Sequence, residues 1–357
     1  IAKVDPLATE TDLSIIALVG ENMKSHPGIS GKMFGTLGRN GVNVRAIAQG
    51  SSERNISAVI STSDVKKTLN ILHEEFFETS YKQINLFIAG TGNVGKRLLA
   101  QLQQQQQFLM KHLRLQVRVV GLINSRNMVM GEEELNGSRE NVFDGGEKAS
   151  LQAFTDHIIS KNLRNSVFVD VTASEKVSSI YPALLQKSIA VVACNKIAAS
   201  SPYRNYIALK ELAAEFNTHF LFETNVGAGL PVIGTLNDLL RSGDSINKIE
   251  AVLSGTLNYV FNHYDGTQKF STVVKRAQDE GYTEPDPRLD LSGTDVMRKI
   301  MILARESGYE VEMDAISNKS FLPVSCMQGT VEDFYKELEV HEDHFLSLYK
   351  EAAGKGC

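Results

Sequence analysis

The sequence predicts an α/β protein built on a doubly wound parallel sheet, with a small α+β unit before it and an α+β domain after it. Three observations carry this. A short apolar run, Ile84 to Ala89, ends in Gly90-Thr91-Gly92-Asn93-Val94-Gly95 and gives way to a helical pattern from Lys96. Further apolar runs at Val117–Ile123, Val167–Val171 and Ile189–Cys194 alternate with helical segments, as parallel strands joined by crossover helices do. Ahead of residue 80 the order is strand, helix, strand, strand, helix, which one further strand would complete as a ferredoxin-like, split-βαβ unit.

Composition narrows the function classes. The 357 residues suggest two or three domains, and 42% hydrophobic residues are ample for a core. The net charge of -5 comes from interspersed acids and bases, so no basic stripe argues for nucleic acid. No apolar run is long enough to span a membrane, and no signal peptide is visible. The cysteines, Cys194, Cys326 and Cys357, lie far apart and match no disulfide or zinc pattern, which points to a reducing, cytoplasmic setting. His341-Glu342-Asp343-His344 lacks the zinc-protease spacing and reads as solvated helix surface. The chain starts at Ile1 without a methionine and stops just after a helical pattern, so it is expected to be an internal piece of a longer protein.

Taken in order, polar residues 1–12 precede a buried strand, Leu13 to Val19. His26-Pro27-Gly28 opens a helix carrying Ile29, Met33, Phe34 and Leu37, with proline expected in the first turn, and Arg39-Asn40-Gly41 stops it. Val42–Ala48 and Asn55–Ile60 read as strands, and Asp64 as the cap of a helix carrying Val65, Leu69, Leu72 and Phe76. Phe77–Gln83 is a linker. In the glycine motif Gly90 allows the turn, Gly92 lets backbone approach a pyrophosphate, and Gly95 lets helix pack on strand. The new helix N-terminus offers unpaired N–H groups to the phosphates. The helix runs on through Gln103–Gln107. An acid closing the second strand would select NAD, but here the strand runs into Asn124-Ser125-Arg126. Arg126 suits a 2′-phosphate, so NADP is preferred or accepted, unless the arginine only stacks on adenine. Residues 131–147 read as a polar surface loop, Leu151–Leu163 and Ser179–Ser188 as helices. Thr172-Ala173-Ser174 and Asn195-Lys196 follow strand ends, where ligands sit in open α/β sheets.

From Phe220 the pattern changes. Phe220–Val226 reads as a strand with Glu223 as its lone acid, followed by Gly227-Ala228-Gly229-Leu230-Pro231. A carboxylate beside exposed carbonyls suits a hard cation. Lys248–Leu253 reads as another strand, leading into Ser254-Gly255-Thr256-Leu257-Asn258-Tyr259. The stretch GYTEPDPRLDLSGTDVMRK, residues 281–299, is a proline-stiffened loop feeding a helix on which Asp295 and Lys299 share one face. By itself that pair fits an exposed ion pair as well as a site.

Two resemblances bear on these residues. Residues 13–77 resemble an ACT domain, and VNVRAIAQGSSERNISAVI is similar to the second such module of aspartokinases. The resemblance makes Gln49 a candidate contact for a threonine effector; alternatively it only ends a strand. Residues 84–350 resemble homoserine dehydrogenase through GTGNVG, NSR, VDVTAS, ACNK, ETNVGAGLP, SGTLNY and GYTEPDPR…DVMRK, in the family's order. Together they resemble the C-terminal part of bifunctional aspartokinase–homoserine dehydrogenases, with the kinase half upstream and the family's last glycine-rich segment beyond Cys357.

The resemblance implies an ACT regulatory domain with linker over 1–80, a Rossmann-type NAD(P)-binding domain over 81–220, and a C-terminally truncated catalytic and dimerisation domain over 221–357. It implies Lys299 as proton donor and Lys196 as the lysine between cofactor and substrate. Glu284 and Asp295 would hold the substrate ammonium. Gly90, Gly92, Asn93, Val94, Gly95, Arg126, Thr172, Lys196 and Gly281 would contact NADP, with NAD possible. Glu223 with the carbonyls of Val226, Ala228 and Leu230 would hold a monovalent cation, usually sodium. The implied reaction interconverts L-aspartate 4-semialdehyde and L-homoserine, in a homodimer or homotetramer. Two rival readings are a Rossmann enzyme acting on another carbonyl and an inactive regulatory fragment that binds an amino acid and dimerises.

Overall fold

The computed structural model describes residues 9–20, 23, 26–49, 54–77, 81–131, 135 and 146–356. They fall into two units, one of Ile1–Ala198 with Asn205–Phe222 and one of Ala199–Arg204 with Glu223–Cys357.

The first unit opens with β1 (Leu13–Val19), α1 (Ile29–Arg39), β2 (Val44–Gln49), β3 (Asn55–Ser61) and α2 (Val65–Phe76). The strands form an antiparallel sheet in the order β1-β3-β2. Strict alternation along β3 sends Ile56, Ala58 and Ile60 against Met33 and Leu37 of α1 and Ile71 and Leu72 of α2. Two expectations shift here. Pro27 lies outside α1, whose N-cap is Gly28 at a φ of 90°, a conformation glycine adopts without strain. Asp64 stands at the start of α2 but makes no capping bond; its Oδ1 instead accepts the Asn162 amide at 2.7 Å.

After α2 the chain leaves the three-stranded sheet and enters the parallel one through β4 (Lys82–Ala89). Then come α3 (Asn93–Leu113), β5 (Leu115–Ile123), β6 (Asn127–Met130), β7 (Glu147–Lys148), α4 (Leu151–Lys161), β8 (Ser166–Asp170), α5 (Glu175–Ser178), α6 (Tyr181–Leu185), β9 (Ala190–Ala193), α7 (Tyr203–Glu215) and β10 (Phe220–Leu221). The sheet order is β10-β9-β8-β4-β5-β6-β7, with β6 and β7 antiparallel and the rest parallel. Neighbours on both sides of β4 place its C-terminal end mid-sheet, at the switch point of a doubly wound fold. Phe87 meets Phe154 edge-on at 6.3 Å above Gly121, where a Cβ would stand 2.7 Å from the Phe87 ring. The helix expected over 179–188 shortens to α6, which Pro182 opens in its first turn, and α5 precedes it outside that range. Most of the loop expected over 131–147 lies outside the described residues.

The second unit is helical across its described residues: α8 (Ile233–Arg241), α9 (Gly255–His263), α10 (Phe270–Asp279), α11 (Arg288–Leu291), α12 (Thr294–Glu306), α13 (Val331–Val340) and α14 (Glu342–Gly354). Phe270, Val273, Val274 and Ala277 of α10 pack with Val260, Phe334, Leu338 and Phe345, and Phe270 stacks on Phe345 at 4.2 Å. The buried guanidinium of Arg305 donates to the carbonyls of Ala199, Ser201 and Val311 and pairs with Glu312 at 2.9 Å. The strand expected over 248–253 is absent: among the described residues it has no neighbouring strand, and Val252 is 79% exposed. The strand expected over 220–226 shortens to β10, and Glu223–Asn225 turn as a 3₁₀ helix.

Candidate active site

The C-terminal edge of the parallel sheet carries the glycine turn. Gly90 takes a φ of +103°, and a Cβ there would meet the Val171 carbonyl at 2.9 Å and the Thr172 methyl at 3.0 Å. A Cβ on Gly95 would stand 2.2 Å from the Gly90 carbonyl. These two glycines therefore serve close packing of turn, helix and β8. Gly92 differs: a Cβ there meets nothing within 4 Å, and as N-cap of α3 it offers no side-chain cap. Asn93 and Val94 are exposed in the first turn. An uncapped helix end facing open space beside a glycine turn fits a pyrophosphate.

Beyond β5, Asn124 organises the next turn. Its Oδ1 accepts the N–H groups of Arg126 and Asn127, both at 2.8 Å, and its amide reaches the Thr91 hydroxyl at 3.3 Å. Arg126 is exposed at the strand end, with no acid in the Asn124-Ser125-Arg126 turn. At the end of β8, Asp170 is fully buried. Its Oδ1 accepts the Thr172 N–H at 2.8 Å; its Oδ2 accepts the Tyr181 hydroxyl at 2.6 Å and the Asn195 amide at 3.0 Å. Asn195 also donates to the Ser174 carbonyl and accepts the Ile197 N–H. One carboxylate thus fixes the Thr172–Ser174 loop and the segment holding half-buried Lys196. Burial, then the charge of Asp170, raises the Tyr181 phenol far above its ordinary range.

In the second unit Lys299 and Asp295 pair on α12 at 2.7 Å, and the same ammonium donates to the Leu253 carbonyl at 2.7 Å. The Lys299 side chain is 16% exposed, which is unlike a loose surface pair. Asp290 faces this pair. Burial pushes its carboxyl above the ordinary range, opposed by the Glu284 N–H, the Thr256 hydroxyl and Lys299 and reinforced by Asp295. The backbone of Glu284 is held by Asp290 at 2.8 Å, leaving its own side chain exposed. Thr256 also donates to the Tyr282 carbonyl, and Tyr259 stacks on Tyr282 at 4.3 Å, so SGTLNY and GYTEPDPR brace each other. Gly281 stands at a φ of +80° just ahead of Tyr282. The loop and helix bring the carboxylates of Asp290 and Asp295 to one ammonium, with the backbone of Glu284 tied to Asp290.

The remaining candidates stand apart. Both Glu223 oxygens accept the first N–H groups of α8, from Ile233 at 2.8 Å and Gly234 at 2.7 Å. Val226 is buried, whereas Ala228 and Leu230 are exposed. Gln49 ends β2 opposite Ile56 with its side chain exposed. Sequence reasoning passed over Asp170, Asn195, Asn124, Thr256 and Asp290 as functional residues. The signal for Asp170 was present: an acid ending an otherwise apolar strand must have dedicated partners.

The chain is similar to proteins of known name. An ACT domain model matches residues 16–76, a model described as the homoserine dehydrogenase NAD binding domain matches 90–223, and one described as homoserine dehydrogenase matches 231–355. The chain is 40% identical over 347 residues to the chloroplastic bifunctional aspartokinase/homoserine dehydrogenase 1 of Arabidopsis thaliana, covering 96% of this chain and 38% of that protein. It is 35% identical to the bifunctional aspartokinase/homoserine dehydrogenase of Haemophilus influenzae over 99% of this chain and 44% of that protein. The chain thus spans about two fifths of the length of these curated relatives. Among solved structures, a Candida auris protein of unknown function matches with a TM-score of 0.67 and 31% identity, over 77% of each chain. A hyperthermophilic archaeal homoserine dehydrogenase in complex with NADPH matches with a TM-score of 0.53 and 26% identity, over 63% of this chain and 70% of that one. The two dehydrogenase models cover the glycine turn and the Asp295–Lys299 pair respectively, and the chain belongs to the homoserine dehydrogenase family.

Proposed function

We propose that this chain catalyses the NAD(P)H-dependent interconversion of L-aspartate 4-semialdehyde and L-homoserine. The observation that carries the reading is Lys299, held between Asp295 and the Leu253 carbonyl with Asp290 in electrostatic reach. The reduction builds negative charge on the aldehyde oxygen, and a fixed ammonium stabilises that charge and delivers a proton to it. Glu284 and Asp295 pair with the substrate ammonium and orient it, with Asp295 also holding Lys299. The nicotinamide, when bound, supplies the hydride chemistry. Its phosphates suit the Gly90–Gly95 turn and the first turn of α3 at Asn93 and Val94, and Arg126 suits a 2′-phosphate, which favours NADP over NAD. Thr172, Lys196 and Gly281 complete the proposed cofactor contacts.

Glu223 with the carbonyls of Val226, Ala228 and Leu230 is an all-oxygen set that suits a monovalent cation, probed by activity in sodium against a large organic cation. The relatives' names further support a longer protein that also phosphorylates aspartate; in this reading the ACT module binds threonine near Gln49. A homo-oligomer and a cytoplasmic setting complete the reading. No helix among the described residues is long and apolar enough to cross a membrane.

The deciding experiment follows nicotinamide absorbance during homoserine oxidation with NADP and with NAD. Turnover that requires homoserine supports the proposal. Folded protein without turnover, with sodium or potassium present, overturns it in favour of the regulatory reading.

A further inference from the structure

We propose that the cavity between the ACT helices and the N-terminal edge of the parallel sheet binds a small anion bearing carboxylate or phosphate groups, with Lys67 as its central cation. The cavity has a volume of about 920 Å³ and lies within the first unit. Arg39 and Lys67 line it from the ACT side, Lys82 and Arg114 from the sheet side. The acids in its lining, Glu74 and Glu75, already have cationic partners. Glu74 pairs with Arg164 at 3.1 Å and accepts the Gln83 N–H; Glu75 pairs with Lys32 at 3.6 Å and Arg39 at 3.9 Å. Within the lining the cations Arg39, Lys67, Lys82 and Arg114 outnumber these two acids.

The second observation is independent of that balance. Lys67 is 7% exposed, and its ammonium donates to a neutral group, the Asn162 amide oxygen, at 2.8 Å. Asp64, the acid nearest in effect, has its Oδ1 on the Asn162 amide nitrogen and so reaches Lys67 through Asn162. Burial lowers the Lys67 pKa to about 8, with Asp64 opposing and Lys187 adding to the fall. An ammonium with three donors, buried at a polar cavity and short of a direct counter-charge, is stabilised by an anion that supplies one. Thr218, also in the lining, adds a polar contact without negative charge.

The site is distinct from the residues assigned above. Gln49 does not line the cavity, and the glycine turn sits at the other end of the same strands: β4 runs from Ile84 at the cavity to Ala89, β8 from Ser166 to Asp170. A ligand there would touch both the ACT module and the strands that carry the proposed cofactor edge.

The test is thermal melting of the whole chain at constant ionic strength, with NADPH present to close the glycine turn to the probes. Inorganic phosphate and malonate serve as the phosphate and carboxylate probes. The expected result is a rise of a few degrees with at least one probe. Lys67→Met should abolish the rise and Lys67→Arg should keep it. Arg114→Asn, which removes a charge and suits the left-handed backbone there (φ 51°), should reduce it and decides the matter if Lys67→Met fails to fold. No rise with either probe, or a full rise in Lys67→Met or in Arg114→Asn, overturns the proposal. Homoserine oxidation, assayed separately, does not bear on this outcome.

Discussion

The Tyr181 hydroxyl donates to Oδ2 of Asp170 at 2.6 Å, with both side chains fully buried. The carboxylate accepts from the Thr172 N–H, the Tyr181 hydroxyl and the Asn195 amide, all of them neutral donors. Tyr181→Phe leaves it one donor short in a dry site. The expected cost is about 1–3 kcal/mol of stability, read as a lower urea midpoint with unchanged m. An unchanged midpoint would show that the bond contributes nothing.

Lys299→Ala should lower kcat by about 10²-fold or more, the range of a positioned proton donor, while the Kd for NADPH stays near wild type. Fluorescence titration with NADPH separates the two effects. A large loss of cofactor binding would count against the assigned role.

Arg126 is exposed at the end of β5, in a turn shaped by Asn124 rather than by its own side chain. Arg126→Ala should therefore leave folding intact and raise KM for NADPH more than KM for NADH. Equal rises in both would remove the 2′-phosphate argument.

Lys67 titrates near 8 in the fold, against 10.5 for a lysine in water. Between those values the unfolded chain binds the extra proton, so this group makes stability rise with pH across the window. Below about pH 8 both states are protonated and the penalty for burying the ammonium is present in full. Lys67→Met should thus be more stable than wild type at pH 7, with the difference shrinking toward pH 10.5; urea midpoints at pH 7, 9 and 10.5 measure it. A difference that does not vary with pH would refute the linkage.

What was legible in the sequence was local. The Ile84–Gly95 stretch declares strand, turn and helix because each glycine answers a steric demand within a few residues, and the Gly95–Gly90 contact is such a demand. The Asp295–Lys299 spacing likewise fixes one helix face. What escaped depends on partners distant in the chain. Asp64 looks like a helix cap until Asn162, 98 residues on, takes its oxygen. Glu223 looks like a strand acid until the N-terminus of α8 claims both of its oxygens. Residues 248–253 have strand composition, but composition supplies no neighbour to pair with.

Among the bonds that fasten the ACT module to the parallel-sheet part are those of Asn162 to Lys67 and Asp64, and of Arg164 to Glu74 and the Asn70 carbonyl. Asn162 and Arg164 sit in the α4–β8 connection, at the opposite ends of the strands from the glycine turn. That edge is free of the shape requirements that chemistry imposes on the other. A different sensor could be grafted ahead of Tyr81 by rematching the residues of this edge, Asn162, Arg164 and Gln83 among them, with every loop at the nucleotide edge left as it stands. The fold is in this sense a socket, and the sensor an exchangeable plug.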